Sequence, residues 1–394
     1  MLVGDKRLIY LDYNATTPLD PQVFEAMLPV FSEIFGNPSS IHQIGRRARV
    51  LLDEVRERAA SVLGCKPSEI IFTSGGTESN NLAIFGIARL FKSRGRHIVI
   101  SSVEHHSVLN CCEYLAGQEG FDVSYLPVNS EGMVDPEDVK RRLRKDTILV
   151  SVMAANNEIG TLQPVREIGA ICRERGIVFH TDAAQWFGKE EFGGIDELNA
   201  DLVTLCAHKI YGPKGAALLY VRSPLKPSPI IFGGRHENEL RAGTENLAAI
   251  VGLVRAMELF LKPPVFRRDR LEPLAERLIN LIGRLPDATF RGALKARDRL
   301  CNTVAFTVDG VDSAVIIAAL DIEGICVSSG SACSSGALEP SHVIAAICGE
   351  GSARSLIRFS LGRETVLEDI ERVESVLPEI IRRALRATSG AGRR

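Results

Sequence analysis

The sequence predicts an α/β protein, with a large domain on a mostly parallel sheet flanked by helices and a smaller α+β domain attached. Three observations lead there. From about residue 47, short apolar runs alternate with segments of helical apolar spacing. The runs lack polar alternation, the pattern of strands buried on both faces. The helical segments between them supply the crossovers that parallel strands require.

Taken in order, the spacing predicts a helix over 47–63, a strand over 70–73, a helix over 78–91 and a strand over 97–101. Apolar runs at 148–153, 177–179 and 202–206 read as further buried strands. The texture changes at Lys262-Pro263-Pro264, which sets the domain boundary near Pro263. Beyond it come a charged helix over 267–285, a strand over 303–308, a helix over 314–320 and an apolar run over 325–328. A last helix over 367–387 is expected to kink or break at Pro378. The small, basic tail 388–394 reads as disordered.

The 394 residues favour two domains, and 45% hydrophobic with 24% charged residues is an ordinary globular balance. A net charge of -2 makes no electrostatic case for nucleic acid or an anionic membrane. The N-terminus has no uninterrupted apolar region of a secretory signal, and no run approaches the roughly 18 apolar residues of a membrane span. A cytoplasmic protein is expected, so the glycosylation-type triplet Asn14-Ala15-Thr16 is read as chance. Nine scattered cysteines with no C-x-x-C pair argue against both a disulfide framework and a zinc site.

In an open parallel sheet, ligands collect beyond the carboxyl ends of the strands. After 70–73 comes a glycine-rich turn containing Gly75, Gly76 and Thr77, which suits either a phosphate cradle at a helix N-terminus or an ordinary tight turn. After 177–179 comes Asp182, followed by Ala183, Ala184 and Gln185. Pyridoxal phosphate (PLP) needs an acidic partner for its pyridine nitrogen, and Gln185 can reach the phenolic oxygen; a helix-capping aspartate is the plain alternative. After 202–206 come His208 and Lys209. A lysine at a strand end is the Schiff-base candidate, with Lys214 its competitor inside a Gly-Pro turn. After 97–101 come Glu104, His105 and His106, where His105 could stack on a cofactor ring and move protons, or serve structurally. The joint occurrence of an anion loop, an acid, a lysine and a histidine at four strand ends is what favours a PLP site.

A second reactive feature lies in the Ser-, Gly- and Ala-rich stretch around Cys333, whose neighbours cannot form a packed core. That points to an exposed loop with a nucleophilic thiol, whereas Cys326 sits in an apolar run and reads as a small hydrophobe. Arg358, between apolar residues, suits either the α-carboxylate of an amino acid or an internal carboxylate.

Taken together the motifs resemble the cysteine desulfurases of the NifS/IscS class. The matching stretches are YLDYNATTP at 10–18, GNPSS at 36–40, SGGTESNN at 74–81, EHHS at 104–107 and NNEIG at 156–160. They continue with HTDAAQ at 180–185, HKIYGPKG at 208–215, RAGTE at 241–245, SSGSAC at 328–333 and RFSLG at 358–362. The resemblance implies PLP fold type I, with residues 16–263 as the large cofactor-binding domain and 1–15 with 264–394 as the small domain carrying the cysteine loop. It implies conversion of L-cysteine to L-alanine, with a persulfide left on Cys333 for a sulfur-acceptor or iron–sulfur scaffold protein. Lys209, His105 and Cys333 would be catalytic. Gly76, Thr77, His105, Asn157, Asp182, Gln185, His208, Lys209 and Thr244 would bind the cofactor, Thr244 from the neighbouring copy of a homodimer. Asn157 and Arg358 would bind substrate, and Cys333 could ligate a cluster during transfer.

One position departs from the family pattern: Cys206 stands where a Ser or Thr usually donates to the phosphate. A thiol is a weak donor, so Ser74, Thr77, His208 and Thr244 are expected to carry more of the grip. Two rivals remain at this level. One is another aminotransferase or lyase on the same fold; the other is a sulfur-carrier scaffold with structural PLP.

Overall fold

The computed structural model describes residues 2–3, 6–330 and 340–391, and side chains within 8–330 and 340–388. The expected nucleophile Cys333 lies outside the described residues.

The core is a seven-stranded sheet in the order Ile70–Thr73, Ala217–Val221, Leu202–Cys206, Val178–Asp182, Thr147–Ser151, His97–Ser101, Asp122–Leu126. All neighbours pair in parallel except Ala217–Val221, which runs antiparallel between Ile70–Thr73 and Leu202–Cys206. Three of the expected strands, 70–73, 97–101 and 202–206, have the expected bounds. Two strands of this sheet were not anticipated. Asp122–Leu126 is an edge strand whose face is mostly open to solvent, so it lacks the apolar run of its neighbours. Ala217–Val221 is apolar but follows Cys206 with no crossover helix, and the short connection makes it antiparallel.

The helix Gln43–Leu63 starts where His42 Nδ1 accepts from the Gly45 N–H at 3.2 Å, and it stops at Gly64, whose φ of 73° only glycine adopts without strain. The helix Gly76–Leu90 begins two residues sooner than its apolar spacing suggests, directly on the glycines. This brings its first N–H groups to the carboxyl edge of the sheet.

A second, antiparallel sheet contains Ala288–Arg291, Thr303–Val308 and Leu356–Ser360 in that order. The N-terminal strand Ile9–Tyr10 pairs with Ile325–Cys326, so the start of the chain joins its last third. The helix Leu367–Ala391 runs through Pro378 without a break, because burial of its Ile370, Val373, Leu377 and Ile381 face outweighs one lost backbone hydrogen bond. It also includes 388–391, which corrects the expectation of a disordered tail there.

Candidate active site

The carboxyl ends of the parallel strands open into one cavity, lined by Gly76, Thr77, His105, Asn157, Asp182, Gln185, Cys206, His208, Lys209 and Arg358. Five separate strand ends and the second sheet therefore converge on one space. Lys209 Nζ donates to the backbone carbonyls of Asn14 at 2.7 Å and Ala15 at 2.8 Å. Lys214 is exposed and does not line this space, which separates the two lysine candidates.

Asp182 terminates its strand with its carboxylate held on both sides. Oδ1 accepts from the Ala184 N–H at 2.9 Å and Oδ2 from Asn80 Nδ2 at 2.7 Å. The aspartate is thus a local cap as well as a cavity group, and the two readings of it are compatible. His105 caps the helix His106–Glu119, its Nδ1 accepting from the Ser107 N–H at 3.1 Å. That bond puts the proton of a neutral ring on Nε2. Burial lowers the His105 pKa from its ordinary value, Asp182 opposing and Lys209 assisting. His208, its Nδ1 3.2 Å from Thr16 Oγ1, is lowered to about 4 by burial and by Lys209 and Lys214.

At the anion corner the helix Gly76–Leu90 has no side-chain N-cap, so its leading N–H groups are open to a ligand. Thr77 and Gly76 line the cavity here, and a Cβ on Gly76 would come within 3.8 Å of Thr204 and 3.9 Å of Cys206. Cys206 is buried, and burial raises its thiol pKa while the Gly76 and His208 N–H groups oppose. Ser74 does not join this corner. Its N–H donates to Glu78 Oε2 at 2.9 Å and its hydroxyl bonds the same oxygen, and Glu78 is gripped in turn by Arg241 Nε at 2.8 Å. Thr244 lies with Ser74 and Arg241 around a second cavity, apart from the first.

On the far wall Arg358 is 2% exposed. Its Nη2 donates to Asp12 at 2.8 Å, and its Nη1 donates to the carbonyls of Asn157 at 2.7 Å and Gly330 at 2.8 Å. The internal carboxylate that the sequence left open is therefore Asp12, and the Nε N–H is the part of the guanidinium without a partner among the described residues.

The class-V aminotransferase model matches residues 9–373. "Cysteine desulfurase IscS" of Dictyoglomus turgidum is 49% identical over 378 residues, covering 95% of both chains. The chain belongs to the class-V aminotransferase family, among its cysteine desulfurases. Among solved structures, a "NifS-like protein" superposes with a TM-score of 0.87 at 35% identity, over 95% of this chain and 100% of that one. Another, "SspA in complex with cysteine", gives a TM-score of 0.78 at 37% identity, over 91% and 100%.

Cysteine desulfurases of this family depend on PLP, and the cavity fits that cofactor. An uncapped helix start suits the phosphate, a doubly supported carboxylate suits the ring nitrogen, and a lysine that donates to two backbone carbonyls at the cavity wall suits the aldehyde. Buried Asn80 Oδ1, beside Asp182, has no partner among the described residues. Several desulfurase residues in the cavity were not singled out from the sequence. Asn14 and Ala15 hold Lys209, Asn80 supports Asp182, and Ser107 bonds both His105 and Asn80. Asn14 and Asn80 sit inside quoted motifs, but only the fold shows which groups they touch. Among the described residues no cluster of His, Cys, Asp or Glu could hold a metal, and no helix is long and apolar enough to cross a membrane.

Proposed function

We propose that this cavity takes the sulfur from L-cysteine, releases L-alanine and leaves a persulfide on Cys333 for an acceptor protein, including an iron–sulfur scaffold. The observation that carries the reading is the meeting of Lys209, Asp182 and Arg358 in one space. Bound PLP supplies an electron sink that acidifies the substrate Cα–H and loosens its carbon–sulfur bond.

The protein's own groups do the rest. The N–H groups at Gly76 and Thr77 hold the phosphate, and Asp182 holds the proton on the ring nitrogen. Lys209, as a free amine, takes the Cα proton. His105, kept neutral by burial, moves protons through Nε2. Arg358 and Asn157 hold the substrate carboxylate. The Cys333 thiolate then attacks the substrate sulfur. A sulfur–sulfur bond forms, the carbon–sulfur bond breaks with its electron pair left on carbon, and that carbon takes a proton to become alanine.

The same reading divides the chain into 16–263 and 1–15 with 264–394, supported by the pairing of Ile9–Tyr10 with Ile325–Cys326. It makes the active form a cytoplasmic homodimer, with Thr244 completing the phosphate site of the neighbouring copy. The deciding experiment is Cys333→Ala. The variant should keep the visible absorbance of bound cofactor and lose alanine and sulfide formation from cysteine. Full desulfurase activity in that variant, or a keto acid product from the unaltered protein, removes the reading.

A further inference from the structure

Beneath the cavity lies a lysine that the reaction does not use. Lys189 is 2% exposed, and among the described residues it forms no ion pair. Its Nζ donates to Asn14 Oδ1 at 2.9 Å and also bonds Gln185 Oε1, with the Phe266 ring centroid 5.2 Å away. Burial, with Lys209 and Arg358 nearby, pushes its pKa well below the ordinary lysine value. An amine donates hydrogen bonds in either protonation state, so these two contacts persist regardless.

The orientation of the Gln185 amide follows. Oε1 turns down to accept from Lys189 Nζ, and Nε2 points the other way. Nε2 gives one hydrogen to the Asn14 carbonyl at 2.9 Å, the same carbonyl that accepts from Lys209 at 2.7 Å. Its second hydrogen has no protein partner among the described residues, and Gln185 lines the cavity. Without Lys189 only the Asn14 carbonyl still selects this orientation, and an amide turned over offers its oxygen there.

We propose that Lys189 is a positioning residue: from below the cavity it locks the Gln185 amide so that its N–H side, not its carbonyl, meets the cofactor's phenolic oxygen. The proposal rests on the PLP reading. A donor at that oxygen favours its anionic form and so lowers the pH at which the cofactor–lysine linkage gains its proton.

The test is a pH titration of the visible absorbance of the holoenzyme. Lys189→Met should raise the midpoint by about one pH unit, a tenfold change in proton affinity. In a Gln185→Ala background the same change should add almost nothing, because no amide remains to orient. An unchanged midpoint in Lys189→Met, or an equal rise with and without Gln185, overturns the proposal. If Lys189→Met does not accumulate folded, Lys189→Leu, which likewise has no donor, is titrated against the same two outcomes. A colourless unaltered protein after PLP addition would instead sink the cofactor reading itself.

Discussion

Asp12 accepts from Arg358 at 2.8 Å, joining a residue near the start of the chain to the last strand of the second sheet. The pair neutralises a cation that is almost wholly buried, and it turns the guanidinium so that the Nη atoms serve the protein while Nε has no partner among the described residues. Asp12→Ala leaves that cation without its carboxylate, and a loss of about 3–5 kcal/mol in unfolding free energy is expected by denaturant titration. Arg358→Lys keeps the charge but loses the planar fork. Its KM for cysteine should rise at least about tenfold, equivalent to about 1.4 kcal/mol, with cofactor absorbance retained. An unchanged KM would remove Arg358 from substrate binding.

Lys209 and Lys214 differ sharply in surroundings, one against two carbonyls in the cavity and the other exposed. Borohydride reduction of the holoenzyme followed by peptide mapping should find the cofactor on Lys209. A label on Lys214 would reverse the assignment.

Cys206 lies at the anion corner, where a hydroxyl would donate better than a thiol. With Ser74 turned to Glu78, fewer side chains are left at this corner for a phosphate than the sequence suggested. Cys206→Ser should therefore tighten PLP binding about three- to tenfold in equilibrium dialysis of the apoenzyme, a gain of about 1 kcal/mol for one better hydrogen bond. No change in affinity would mean that this position does not hold the phosphate.

His180 is fully buried between Ser151 Oγ at 2.9 Å and Thr204 Oγ1 at 3.3 Å, and burial lowers its pKa from 6.5 to about 4. The folded protein keeps the ring neutral where the unfolded chain takes up a proton. Its contribution to stability is present above pH 6.5 and is lost as pH falls toward 4. Urea titrations across that window should show His180→Asn losing less stability than the unaltered protein, by roughly 3 kcal/mol. Parallel curves for the two proteins would show that the ring does not resist protonation.

Much of the site was legible because its groups follow buried strands. Asp182, His208 and Lys209 each come directly after an apolar run, and the sheet carries such positions to one edge. Asn14 and Lys189 were not legible in the same way. Their roles depend on contacts across 175 residues of chain, as when Lys189 reaches Asn14. Asp122–Leu126 escaped notice because an edge strand needs only one buried side. Pro378 misled because a proline costs a helix one bond, while the packing of a whole apolar face decides whether the helix continues.

Asn14 touches every part of the assembly at once. It bonds Lys209, Gln185 and Lys189 on one side, and Ser360, Thr303 and Asn302 on the other. These partners span most of the polypeptide, and the last of them is translated long after Asn14 leaves the ribosome. The backbone that cradles the lysine is therefore braced by contacts that a chain cut short of residue 360 lacks.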